Sequence, residues 1–591
     1  MDPEILEDWG RRLRGLLVAV GLLFAILFLR LFHLQITTAA DYAKESEDNR
    51  IEHRRVKAPR GLILDRDGEV LARNRASYSI SLIRSNKEDD ARSVAALEEA
   101  IGEPVRYHRR NSNIRLKRDV DFETVAIVEE KLRGDGYPLH VDIEPQRDYP
   151  HGDLAAHIVG YMGELQEDEA AAARVRYQPG DYVGKTGLEK VYEDRLRGID
   201  GVRYVETDAR GRIKNERPFP DRERAPLPGH DLRLTLDLDI QRAAARAMPD
   251  SLAGSVVALD ARTGAVLAML SQPSFDPNVF VSYREQDQRR QLIQDGHRPL
   301  LNRAISGEYP PGSTLKLVAA VAALEAGITD TLSTFAACAG SLQVGDVVFR
   351  CNNRSGHGEL NLLDATASSC NIYFNHLALI LGMETWYEYG QRFGFGIPTG
   401  VDLDPEERAG TLPDRQYHIE RDGWVTGHLM NLVIGQGYML VTPLQVARYA
   451  AALGNGGILV TPHFYGNAPP TQKIEGVTPE TWHIVKLGMH RVVYGDNGTG
   501  KRARVAGIDL AGKSGTAQKP PRLNDDAWFI AFAPFDDPEI AVAVVVEDGG
   551  GGGATAAPIA GAVIEAYLAD RLRRNPEMAA TNDSTLSESE L

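Results

Sequence analysis

The chain has 591 residues, 43% apolar and 25% charged, with 67 basic against 83 acidic side chains and a formal net charge of −16. This length implies more than one domain and enough apolar residue to fill a large core without staples. The acidic balance and the lack of a strong basic block exclude nucleic acid as an expected partner.

In chain order, the first feature is an apolar run over 15–29, broken by Arg30 and continued by Leu31-Phe32-His33-Leu34-Gln35-Ile36. Residues 15–36 are predicted to be a transmembrane anchor, with Arg30 snorkelling near its end. Arg11, Arg12 and Arg14 precede the run. The positive-inside rule therefore leaves 1–14 as a cytoplasmic tail and puts the rest on the periplasmic side of the inner membrane. A cleaved signal peptide is the alternative, with Thr37-Thr38-Ala39-Ala40 as loosely matching small residues. No later segment is long and apolar enough to span again.

Residues 37–57 are polar and read as a connecting helix or stalk. Residues 58–72 read as two short strands about the Asp67-Gly68 turn. Between 80 and 230, charged helical stretches alternate with short strands, and helices are clearest over 91–100 and 124–132. Near 230 the pattern changes. Residues 232–237 alternate like a strand, 240–248 like a helix, and 254–269 like a hairpin turning at Arg262-Thr263-Gly264. At the far end come strands over 526–532 and 540–546, a five-glycine loop at 549–553, a helix over 557–571, and a polar tail predicted to be disordered from about 575. The expected class is α+β: an anchor, a pedestal over 37–230, and a domain over 231–572 with an antiparallel sheet flanked by helices.

Three short motifs lie within that last domain, in order: Ser313-Thr314-Leu315-Lys316, Ser369-Cys370-Asn371 and Lys513-Ser514-Gly515-Thr516. A serine hydroxyl needs a nearby base to become a nucleophile. Positions i and i+3 of a helix share a face, so Lys316 can serve Ser313. Burial and a second cation, Lys513, would lower the pKa of Lys316 towards that use. Pro311-Gly312 reads as the start of a helix with Ser313 in its first turn, where the helix dipole favours developing negative charge. Each motif alone is a common cap, turn or strand bend. The ordered set is that of the penicillin-interacting serine acyltransferases.

With these motifs the chain resembles a class B penicillin-binding protein. The resemblance extends to Arg60-Gly61-Leu62-Ile63-Leu64-Asp65-Arg66, Arg147-Asp148-Tyr149-Pro150, His157-Ile158-Val159-Gly160-Tyr161 and Gly187-Leu188-Glu189 in the pedestal. It also covers Gly435-Gln436-Gly437-Tyr438 and Thr442-Pro443-Leu444-Gln445. No glycosyltransferase domain precedes the pedestal, unlike class A. Cys351, Gly356-His357-Gly358 and Ser369-Cys370-Asn371-Ile372-Tyr373-Phe374 are most similar to the cell-elongation type, the penicillin-binding protein 2 subfamily. The division type is the alternative within the class.

The resemblance implies D,D-transpeptidation of peptidoglycan stem peptides, inhibition by β-lactams, and carboxypeptidase activity when water is the acceptor. It implies Ser313 as nucleophile, Lys316 as base, and Ser369 and Asn371 as proton relay and amide anchor. Lys513, Ser514 and Thr516, with Gly515 between them, would grip the terminal carboxylate. The N–H groups of Ser313 and Thr516 would make the oxyanion hole. It also implies a membrane-embedded glycan polymerase of the SEDS type and a periplasmic shape protein as partners. A β-lactamase or β-lactam sensor is the rival in chemistry, and a non-catalytic scaffold for the polymerase is the rival of another class.

The chain has only three cysteines, Cys338, Cys351 and Cys370, with His357 among them. Three thiolates and an imidazole complete a tetrahedral structural zinc site. An exported chain equally allows a Cys338–Cys351 disulfide with Cys370 as a buried free thiol. Some elongation-type relatives carry zinc beside this motif, so the resemblance adds weight to the metal.

Overall fold

The computed structural model describes residues 3–39, 42, 51–83, 87–105, 113–165, 177, 181–207, 213–215, 219–282, 285–403, 407–518 and 524–574. The expected disordered tail from 575, and most of the stalk at 40–50, lie outside them. The chain forms two compact units, and the first is assembled from Met1–Pro59, Ala76–Pro145 and Gly198–Pro228. The second takes Arg60–Arg75, Gln146–Arg197 and Gly229–Leu591.

The first unit opens with a helix over Pro3–Phe32 that continues through His33–Thr37. Residues Arg12–Thr37 are long and apolar enough to cross a membrane, and their side chains are exposed. Ile51–Val56 pairs antiparallel with Gly201–Thr207, which pairs in turn with Ile213–Asn215. Residues 78–83 pair with 113–120. Ile80, Leu82, Leu97, Leu116, Val128 and Leu132 close a small core beneath the helix Lys87–Ile101.

The second unit holds an all-antiparallel sheet of five strands: β1 (Gly254–Asp260), β2 (Val266–Gln272), β3 (Ala511–Ala517), β4 (Asp526–Ala533) and β5 (Ile540–Val546). Their order is β2-β1-β5-β4-β3. β4 and β5 are buried along their whole length. This accounts for their near-continuous apolar sequence, since a strand covered on both faces has no reason to alternate. One core packs on each face of the sheet. β3 carries the third motif and is the edge strand, so its outer backbone groups are not used by the sheet ladder.

The helices needed below are α1 (Lys316–Glu325), α2 (Asn371–Leu381), α3 (Arg415–Arg421), α4 (Thr426–Val433), α5 (Pro443–Gly454) and α6 (Gly552–Arg574). α5 opens on a Thr442/Gln445 capping box with Pro443 in its first turn. α6 begins inside the glycine run, five residues before the expected 557. A Cβ on Gly552 would lie 2.1 Å from the Trp528 carbonyl oxygen and 2.2 Å from that of Gly515, so only glycine lets the helix start against the sheet. Pro558 sits inside α6 and has no N–H for the Ala554 carbonyl. Arg502 Nη1 donates to that oxygen instead, at 3.1 Å.

The strand expected over 232–237 is shorter. The strand is Leu232–Arg233, parallel to Ile63 and Leu64, and Leu234 adds an isolated antiparallel bridge to Tyr465. Asp237 then caps a helix over Leu238–Ala247 by accepting from the N–H groups of Asp239 and Ile240.

Three of the pedestal-type motifs, those of Arg60, Arg147 and Glu189, converge on one carboxylate in this unit. Glu189 is fully buried. It accepts from Arg60 Nε at 2.5 Å and Arg147 Nε at 2.6 Å, while Arg147 Nη1 donates to the Gly61 carbonyl at 2.7 Å. Burial pushes the Glu189 carboxyl up, but Arg147 and Arg60 outweigh it and hold the group below its usual range.

Candidate active site

Ser313 lies in a 3-10 turn, Gly312–Leu315, and α1 starts only at Lys316. The serine therefore precedes the first α turn instead of lying in it. Side chains i and i+3 eclipse in a 3-10 turn, so Ser313 and Lys316 still share a face. The turn is fixed by three backbones passing at van der Waals limits. Gly312 has φ +58°, and a Cβ there would lie 2.8 Å from the Thr516 carbonyl oxygen. Gly312 N–H donates to the Gly435 carbonyl at 2.9 Å. A Cβ on Gly435 would lie 2.0 Å from the Gly312 oxygen. The Gly435-Gln436-Gly437 segment is thus one wall of the turn, and β3 is the other. Gln436 Nε2 joins these walls by donating to the Thr516 carbonyl at 3.4 Å.

Lys316 and Lys513 are both fully buried. Lys316 Nζ donates to the Ser369 carbonyl at 2.7 Å, Ser369 Oγ at 3.2 Å and Asn371 Oδ1 at 2.7 Å. Lys513 Nζ donates to the same Ser369 Oγ at 2.9 Å and to the Ser514 carbonyl at 2.8 Å. The Ser369 hydroxyl therefore accepts from two amines, which fills both lone pairs and leaves its proton to give. Among the described residues, no carboxylate pairs with either lysine. Burial lowers Lys316 to about 8, although the nearby Cys370 and Cys351 thiols pull it back up. Burial, and then the charge of Lys316, hold Lys513 well below the lysine range.

An ammonium has three protons, and those of Lys316 all go to the 369–371 segment. Its lone pair becomes available to Ser313 only when it is neutral. Asn371, expected to hold a substrate amide, is engaged within the protein at both ends, since its Nδ2 donates to the Arg350 carbonyl at 3.0 Å. Ser369 adopts φ +55°, a conformation that costs a non-glycine residue about 1–3 kcal/mol. The Cys370 N–H, donating to Ala365 at 2.9 Å, and the Lys316 bond to the Ser369 carbonyl hold it there. On β3, Thr516 faces solvent and Ser514 is buried, its Oγ 2.7 Å from Thr499 Oγ1. Gly515 passes 3.0 Å from the Pro311 oxygen, measured from the Cβ it lacks.

Sequence reading missed Thr499 and a trio in which the buried Tyr309 and Arg303 meet the half-buried Glu547, Tyr309 Oη donating to it at 2.8 Å and Arg303 Nε at 2.9 Å. Tyr309 precedes the motif by four residues, but nothing local marks Glu547 as its partner.

Cys338, Cys351, Cys370 and His357 come together, their ligand atoms all within 4.8 Å of one another. All three cysteines are free thiols, so the Cys338–Cys351 disulfide alternative is not the arrangement found. The Cys351 and Cys370 sulfurs are 3.8 Å apart, and His357 Nδ1 is 3.4 Å from Cys351 Sγ and 3.7 Å from Cys338 Sγ. Tetrahedral zinc, with Zn–S near 2.3 Å and Zn–N near 2.0–2.1 Å, sets ligand edges of about 3.8 Å for S–S and about 3.6 Å for S–N. The donor set and spacing fit that ion. The hydrogen bond between Cys351 and Cys370 draws the Cys351 thiol below its usual range, against the opposing effect of burial, and pushes that of Cys370 up.

A serine-bearing turn packed against a Lys-Ser-Gly edge strand, with two buried lysines sharing one hydroxyl, defines a serine acyltransferase of the penicillin-interacting kind. The penicillin binding protein transpeptidase domain model matches residues 254–565, and the penicillin-binding protein dimerisation domain model matches 55–234. The peptidoglycan D,D-transpeptidase MrdA of Haemophilus influenzae is 34% identical, covering 95% of this chain and 92% of that protein. Among solved structures, the penicillin-binding protein PBP2 of Helicobacter pylori in complex with MreC has a TM-score of 0.78 at 28% identity, covering 88% of this chain and 98% of that one. A chain of a peptidoglycan synthase complex, described as coordinating polymerization and crosslinking, has a TM-score of 0.72 at 30% identity and covers 94% and 98%. The chain belongs to the penicillin-binding protein transpeptidase family.

Proposed function

We propose that this chain is a membrane-anchored peptidoglycan D,D-transpeptidase acting through a serine acyl-enzyme during cell elongation. The observation that carries the reading is the Ser369 hydroxyl held by Lys316 at 3.2 Å and Lys513 at 2.9 Å, across the cleft from the Ser313 turn. Neutral Lys316 takes the Ser313 proton as Oγ attacks the penultimate D-Ala carbonyl carbon. The N–H groups of Ser313 and Thr516 receive the oxyanion. The C–N bond breaks, and terminal D-Ala leaves with a proton passed through Ser369. The amine of a neighbouring stem then attacks the acyl-enzyme and restores Ser313. Lys513, Ser514 and Thr516 bind the terminal carboxylate, and Thr499 orients the Ser514 hydroxyl.

Intact-protein mass spectrometry after penicillin treatment tests this. The wild type should gain one penicilloyl mass and Ser313→Ala none, while staying folded. Labelling of that variant at wild-type stoichiometry would remove Ser313 from the mechanism.

The exposed apolar helix supports an anchor, and Arg12 and Arg14 at its start support a cytoplasmic N-terminus with the catalytic unit outside. Relatives solved with MreC and in a peptidoglycan synthase complex support a reading of the partners. A glycan polymerase of the SEDS type and an MreC-like shape protein engage the anchor and pedestal.

Cys338, Cys351, Cys370 and His357 hold one structural zinc. The ion supplies a rigid tetrahedral node beside Asn371 and the strained Ser369. Protein purified without chelator should carry zinc that Cys351→Ser removes. Less than about a tenth of an equivalent in the wild type would end the metal reading.

A further inference from the structure

A second cluster of metal-ligating side chains lies apart from the thiolates. His418 and Asp422 are four residues apart at the end of α3. The N–H groups of Asp422 and Gly423 both donate to the His418 carbonyl, at 3.1 and 2.9 Å, which closes the helix. Gly423, at φ +83°, then reverses the chain into α4, which carries His428 back over His418. The two imidazoles stack with centroids 4.2 Å apart and planes 12° from parallel. Asp422 lies 4.0 Å from His418 Nδ1 and 3.6 Å from His428 Nε2. One ligand atom from each residue falls within 4.8 Å of the others.

His418 makes the cluster unusual. Its side chain is 1% exposed, and neither ring nitrogen has a hydrogen-bond partner. Each such buried polar atom costs about 1–3 kcal/mol when nothing meets it. Burial, and then the neighbouring His428, lower the His418 pKa. Asp422 is open to solvent, which gives an ion a way in. Tyr438 Oη donates to Asp422 Oδ2 at 3.2 Å, in the manner of an outer partner that aims a ligating carboxylate. Two groups oppose an ion. The Arg421 guanidinium lies 5.7 Å from the Tyr438 ring, and the Val425 N–H faces His428 Nδ1 at 3.5 Å.

We infer that His418, His428 and Asp422 form a second divalent-metal site, suited to zinc, with a fourth position open to water. Two imidazoles and one carboxylate are a donor set of catalytic-type zinc sites, whose ligands stand about 3.4 Å apart. Loading therefore draws the three side chains in by about an ångström and opens the ring stack. The ion ties α3 to α4, and α4 leads directly into the Gly435–Tyr438 wall of the nucleophile turn. Its role is to brace that wall.

Zinc per chain, measured on full-length protein in detergent after dialysis against micromolar zinc, tests the site. His428→Ala and Asp422→Asn should each hold one zinc fewer than the wild type and still label with penicillin, which certifies folding. Equal zinc in the wild type and both variants overturns the site, as does a difference seen only near millimolar zinc. The thiolate site is scored separately. Cobalt in the histidine site adds visible absorption without a thiolate charge-transfer band, and Cys351→Ser should leave the His428-dependent equivalent in place. If the thiolate zinc fails, that difference persists. If only the thiolate zinc exists, that difference is zero.

Discussion

Arg60 and Arg147 are buried around the carboxylate of Glu189, whereas Lys316 and Lys513 are buried around the hydroxyl of Ser369 and, among the described residues, have no carboxylate paired to them. In the first cluster the opposite charge compensates for desolvation. Glu189 is held below its usual range, and Arg60 is raised above its own against the pull of burial, by Glu189 and Glu193. In the second, burial outweighs the partial compensation that Lys316 receives from Cys370 and Cys351, and both lysines fall. The first arrangement locks three chain segments together and cannot exchange protons near pH 7. The second is poised to do so. Paired burial serves structure here, and unpaired burial serves chemistry.

The largest effect that would sharpen this contrast is on rate. Lys316→Met should slow penicillin acylation by about a thousandfold or more, the scale of a lost general base. It should not lower the urea midpoint appreciably. At about 8 against an ordinary 10.5, the buried ammonium costs on the order of 3 kcal/mol near neutrality, offset by its three hydrogen bonds. The sign is that of a depressed base. The cost is complete below pH 8 and fades as pH rises towards 10.5. Acylation at the wild-type rate would break the comparison.

Glu189→Gln should do the reverse. Two buried guanidiniums lose their charge partner, and the urea midpoint should fall by an amount equivalent to about 3–5 kcal/mol, while the molecules that remain folded label normally. The wild-type contribution is present above the ordinary carboxyl range and is lost as pH falls through the lowered value of Glu189, so the variant should be less sensitive to acid. Unchanged stability would show that the two clusters do not differ as described.

The family, the apolar N-terminal helix and the three short motifs were legible because they are local: a spacing, an apolar run, an ordered set of short words. The sheet was legible at β4 and β5, where continuous apolar sequence marks a fully covered strand. What sequence did not show is what depends on approach through space. Arg60, Arg147 and Glu189 stood out singly, but their meeting was hidden by the 129 residues that separate Arg60 from Glu189. The left-handed backbone of Ser369 is imposed by Lys316 and the 365–370 turn, and no propensity of serine announces it. The start of α6 was misplaced because glycine normally reads as loop, whereas here it permits contact with the sheet. The cysteines and His357 were visible as a set, though not as neighbours at tetrahedral spacing. His418, Asp422 and His428 carried a signal that was overlooked, a His-x3-Asp-x5-His spacing across a Gly423 reversal.

The central claim, that burial without a paired carboxylate makes Lys316 a base near neutrality, is tested most directly by the pH dependence of penicillin acylation. The second-order rate constant on full-length protein should rise with a midpoint near 8 as Lys316 loses its proton, and Lys316→Met should abolish that rise. A wild-type midpoint at the ordinary lysine value of 10.5, or a rise that survives in Lys316→Met, would contradict it.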